Sequence, residues 1–167
     1  MGLFDFFKSK KDTPNASAQK DVQDSDQHSV KHEMQITEKD LQADEETVDR
    51  IVETMVEEDP FKNFYSGKTK DDMTPLSKQT YKYENITTVN VDFVNKDKGR
   101  TLVKIEGITL GFLPEDTALT LQSYQEKYLL TAFVYVTGGP YMAYDTTKEK
   151  VVEDDVPFGL DIYLQFT

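Results

Sequence analysis

The stretch Leu102-Val103-Lys104-Ile105-Glu106-Gly107-Ile108-Thr109-Leu110-Gly111-Phe112-Leu113-Pro114-Glu115-Asp116 sets two kinds of structure side by side. Leu102, Val103 and Ile105 read as a strand, Glu106-Gly107 as a turn, and residues 109–113 as its return. Pro114 then opens a helix over 114–127, with Glu115 and Asp116 suiting its positive end. Ala118, Leu119, Leu121 and Tyr124 are the buried candidates of that helix. The period-two pattern extends in both directions. Residues 61–66 form a short strand candidate, and Tyr81, Tyr83, Val89, Val91 and Phe93 alternate with polar residues. Asn95-Lys96-Asp97-Lys98-Gly99 is a turn, and residues 129–136 are the most apolar strand. Gly138-Gly139-Pro140 turns the chain back, an acidic loop runs over 145–155, and Val151-Val152 and residues 160–166 are the last strands. Many short strands with one main helix and no βαβ alternation predict a mainly β domain, a small barrel.

Upstream of residue 60 the composition changes. Residues 1–59 hold 7 basic and 16 acidic side chains, against 12 and 15 in residues 60–167, and the whole chain carries −12. Sixteen of the 19 aromatic residues follow residue 59, so the apolar surface needed for a core lies there. Three regions are expected. Residues 1–36 are a flexible acidic tail, with an apolar and basic head at Leu3, Phe4, Phe6, Phe7, Lys8, Lys10 and Lys11. Residues 37–59 are an amphipathic helix, with Thr37 and Asp40 as an imperfect capping box and Asp59-Pro60 as the stop. Residues 60–167 are the β domain. The head reads as a docking peptide for a membrane surface or a protein groove, or as a loose start that packs on its own domain or on nothing, and a protein partner is expected through the head and helix 38–58.

Enzyme signatures are missing: there is no nucleophile elbow, no phosphate-binding glycine loop and no dinucleotide fingerprint. No cysteine is present, which removes thiolate chemistry and fits a reducing cytoplasm. His28 and His32 have helical metal spacing but no third ligand, so neither a metal nor a cofactor is expected. No apolar run approaches the roughly 20 residues of a membrane span.

The segment from Ile105 to Ala118 resembles the HIRAN domain family, in which a strand ends in a glycine-x-x-aliphatic-glycine-aromatic-leucine pattern before a helix. Phe64-Tyr65-Ser66-Gly67, Asn95-Lys96-Asp97 and Val156-Pro157-Phe158-Gly159 resemble further family motifs in the family's order. The resemblance implies a six-stranded barrel of OB or SH3 style over residues 61–167. It also implies a non-enzymatic module that captures the 3′ end of single-stranded DNA. The implied site is Phe64, Tyr65, Asn95, Asp97, Phe112 and Tyr163, and the basic cluster Lys96, Lys98, Arg100 and Lys104 would meet phosphates. The family's arginine–tyrosine pair falls on Asn63 and Phe64, which removes a phosphate clamp and a hydroxyl. That departure supports the alternative, a bacterial or prophage-type accessory module that binds a peptide or protein partner instead of DNA.

Overall fold

A computed structural model describes residues 29–167. In chain order the elements are β1 (His32–Thr37), α1 (Glu45–Glu58), β2 (Thr80–Tyr81), β3 (Thr87–Thr88), β4 (Val91–Lys96), β5 (Arg100–Ile105), β6 (Ile108–Phe112), α2 (Glu115–Gln125), β7 (Leu130–Asp145) and β8 (Lys150–Phe166). The chain is mainly β, as expected. The strands form two antiparallel sheets and no closed barrel. One sheet has the order β1-β8-β7-β2 with β3 also on β7, and the other is β4-β5-β6. Alternation reports which side chains share a face, not whether the outer strands meet, and here each sheet keeps its own edges.

The large sheet is built on the hairpin of β7 and β8, which pair from Leu130↔Phe166 to Asp145↔Lys150. Ile162, Leu164 and Phe166 of β8 and Val134 and Val136 of β7 point into the core, while Asp161, Tyr163, Gln165, Phe133 and Tyr135 take the opposite face. The predicted turn at Gly138-Gly139-Pro140 instead lies inside β7, opposite a bulge in β8: the register jumps from Thr137↔Gly159 to Gly139↔Val156, so Gly138 faces both Pro157 and Phe158. Pro157 has no amide to donate at that point, and both glycines have positive φ (68° and 81°), so the strand bends without reversing. The loop expected over 145–155 shrinks to a turn at 146–149, and Glu153, Asp154 and Asp155 lie in β8. Residues 61–66 are not a strand. Phe64–Gly67 is a short 3-10 turn with Tyr65 and Ser66 at φ 55° and 53°, held by the Tyr65 amide on the Lys82 carbonyl (2.9 Å).

The assigned tail is corrected at its end. His32–Thr37 is strand β1 along β8, from His32↔Phe166 to Thr37↔Asp161, with Ile36 buried. Residues 1–28 of that assignment, including the head and His28, lie outside the described residues. Helix α1 starts at Asp44, not Thr37: the Asp44 carboxylate accepts from the Thr47 amide (2.7 Å), while Thr37 and Asp40 bond each other in the turn after β1. The helix ends with the Asp59 amide on the Met55 carbonyl, ahead of Pro60. Val48, Ile51, Val52 and Met55 are buried in the same core cluster as β8, β5 and α2. The helix is therefore part of the β domain, not a separate region, and its apolar face is spent on the core and is not open to a partner. Helix α2 begins after Pro114 as predicted and buries Ala118 and Leu121, but Leu119 is 57% exposed.

Candidate binding site

The outer face of the large sheet holds a groove of about 900 Å³. Strand alternation builds it. Phe133, Tyr135 and Thr137 project from β7, and Asp161, Tyr163 and Gln165 from β8, while Tyr81 and Glu84 close one side. The Tyr135 and Tyr163 rings meet edge to face, 5.5 Å between centroids at 89°, and are 38% and 39% exposed. Phe133 stands opposite Tyr163 across the strand pair. Among the described residues, the charged groups lining it are Glu84 and Asp161. Glu84 accepts from the Tyr81 amide (3.3 Å) and from the Ser66 hydroxyl, which fixes it at the rim. Burial first, and then the neighbouring Glu38, raise the Asp161 carboxyl above the usual aspartate range. Glu38 itself accepts from the Leu160 amide (2.8 Å), so it cannot swing away without breaking the join of β1's end to β8. Two carboxylates among aromatic rings, with no cation among the described residues that line the groove, make a site that attracts positive charge.

The residues expected at a DNA-end pocket fall into three places. Lys96, Lys98, Arg100, Lys104, Asn95, Asp97 and Phe112 lie on the small sheet and its β4–β5 turn. The pairs Lys96↔Arg100, Asp92↔Lys104 and Leu102↔Phe112 put Lys96, Arg100, Lys104 and Phe112 on one face. The Arg100 guanidinium lies 4.3 Å from the Phe112 ring centroid, and that ring is 38% exposed. The turn is fastened from behind. Thr101 is buried and donates to Asn95 Oδ1 (3.3 Å), and Gln122 of α2 donates to Thr101 Oγ1 (3.2 Å) and to the Gly99 carbonyl (3.3 Å). Phe64 and Tyr65 lie on the 3-10 turn, where Phe64 packs edge to face on Tyr83 at 5.4 Å. Tyr163 lies in the groove, and none of the other nine lines that groove. His32, weighed for metal binding, is in a strand, with its ring stacked on Tyr124 at 4.2 Å.

No protein-family model, curated protein or solved structure matches this chain. Of the residues implied by the sequence resemblance, Tyr163 alone belongs to the groove. The signal for Phe133 and Tyr135 was present: along 132–137 the aromatic and polar residues occupy one parity and Val134 and Val136 the other. Among the described residues, no helix is long and apolar enough to cross a membrane.

Proposed function

We propose that this chain is a non-enzymatic binding module whose principal surface is the tyrosine groove. Its ligand is a peptide segment that carries lysine or arginine beside apolar or aromatic side chains. The observation that carries this reading is the right-angled Tyr135–Tyr163 pair with Asp161 and Glu84 on the same lining. A cation over a tyrosine face is worth about 0.5–2 kcal/mol, and a carboxylate beside it gives the cation a direction.

Anisotropy titration of a labelled lysine- and phenylalanine-containing peptide tests it, with the same peptide bearing glutamate for lysine as control. Tyr163→Ala should weaken binding about 2- to 30-fold, the range set by the cation–π magnitude. Binding should also fall in acid. Protonated Asp161 no longer attracts a cation, and because its carboxyl titrates above the usual aspartate range, the loss starts at a higher pH than an ordinary aspartate gives. The stability effect has the opposite sign: ionised Asp161 disfavours the fold above its pKa, and that penalty disappears as pH falls. Asp161→Asn should therefore weaken the peptide complex at neutral pH while leaving the melting temperature unchanged or raising it. Equal binding of both peptides would remove this reading.

A second reading has its own support. The Arg100–Phe112 stack with Lys96 and Lys104 on the same face is suited to single-stranded DNA, as the HIRAN resemblance implies. Affinity for an oligonucleotide with a free 3′ hydroxyl should then fall with salt by a slope of about 0.7 per phosphate contacted. Lys96→Ala with Lys98→Ala should flatten that slope, while Tyr163→Ala should not change it. Absence of oligonucleotide binding at low salt would leave the groove alone.

A further inference from the structure

The chain itself contains the chemistry that the groove is built to take. Residues 1–11 read Met-Gly-Leu-Phe-Asp-Phe-Phe-Lys-Ser-Lys-Lys: Leu3, Phe4, Phe6 and Phe7 are followed by Lys8, Lys10 and Lys11, with Asp5 the single acid. They precede the described fold, and the place where the chain joins that fold is informative. The Lys31 amide donates to the Phe166 carbonyl (2.7 Å), and Glu33 pairs with Gln165, which lines the groove. The chain thus meets the sheet at the Gln165 end of the groove. Residues 12–28 bridge the interval, and these 17 residues reach about 55 Å when extended. A domain of this size is roughly 40 Å across, so the head reaches every part of the groove. Tethering on this scale gives an effective concentration of the order of 1 mM, enough to hold a segment of modest affinity.

We propose that residues 3–11 of this chain occupy the tyrosine groove, with phenylalanine against Tyr135 and Tyr163 and lysine beside Asp161 and Glu84, so that the head and an external peptide compete for one site. This rests on the groove's being a site for cationic, aromatic peptide. Charge complementarity selects the groove over the small sheet, whose Lys96, Arg100 and Lys104 repel the same lysines.

The chain has no cysteine, so Ser9→Cys gives the full-length protein a single attachment point for a nitroxide. In the 15N-labelled chain, amides of Phe133, Tyr135, Asp161 and Tyr163 should broaden more than those of Lys98, Arg100 and Phe112. Changing Lys8, Lys10 and Lys11 together to glutamate should abolish the difference. A fluorescent synthetic peptide of residues 2–11 should bind that full-length variant about tenfold more tightly than the unaltered chain. This is the factor expected when a 1 mM tethered competitor has a Kd of about 0.1 mM. If broadening spares the groove and the peptide binds both proteins equally, the head does not dock, while the groove still stands as a peptide site. Peptide that binds neither protein overturns both the inference and the groove. Broadening of an unlabelled copy mixed with a nitroxide-labelled one would assign the occupant to a second molecule and overturn the intramolecular arrangement.

Discussion

Phe166→Ala is expected to lower the unfolding free energy by about 3–5 kcal/mol, although the residue is next to last in the chain. Its side chain is fully buried. It pairs with His32 of β1 on one side and Leu130 of β7 on the other, and its ring meets Tyr124 of α2 edge to face at 5.0 Å. Three elements therefore lose a shared contact at once, and the cavity left behind has strand backbone on two sides that cannot collapse into it. Urea unfolding should show a lower midpoint with an unchanged slope. A loss under about 1 kcal/mol would mean that this end of β8 frays in solution and that β1 is not held along it.

Gly138→Ala is expected to cost on the order of 3 kcal/mol, through two separable effects. The residue sits at φ 68°, where a side chain costs about 1–2 kcal/mol. A Cβ there would also overlap the Pro157 carbonyl oxygen across the strand pair, and main chain cannot yield as a flexible side chain would. Gly107 is the internal control: it has φ 75°, but nothing lies within 4 Å of an added Cβ. Gly107→Ala should show the backbone cost alone, and the difference between the two variants isolates the bulge contact. Similar losses at both positions would show that the bulge opens at little cost. Gly138 also lines the groove, so the variant that destabilises more should also bind the lysine-containing peptide less well.

Legibility in the sequence varied by element for physical reasons. Strands β5 and β6 and helix α2 were readable because Glu106-Gly107 and Pro114 punctuate two short apolar runs. Strand β1 was not. His32, Met34 and Ile36 do alternate with Glu33, Gln35 and Thr37, but Met34 and Ile36 are its only aliphatic side chains, in a stretch whose charge reads as tether. Its partner, a continuous strand from 150 to 166, was concealed by the acids at 153–155. The helix start slipped because Thr37–Asp40 and Asp44–Thr47 share a three-residue spacing, and a side chain bonds a nearby backbone amide equally well in a turn and at a helix start. The closed barrel was expected because faces can be read from alternation and edges cannot. In the groove, residues 129–136 are mostly apolar, so the parity that sets Phe133 and Tyr135 apart from Val134 and Val136 marks two faces without telling which one is left uncovered.

The pairing of β1 with β8 also orders events during synthesis. Glu33 and Gln165 lie 132 positions apart, yet they are neighbours in the sheet. At about 5–20 residues per second, β1 leaves the ribosome roughly 7–26 s before β8, the strand it pairs with, exists. Strand β8 is made after the other described strands, so α1, with Val48, Ile51, Val52 and Met55 exposed, waits for it as well. The small sheet β4-β5-β6 is local in sequence and can form during that interval. Until β8 is made, the nascent chain therefore carries an apolar face that has nothing to cover it.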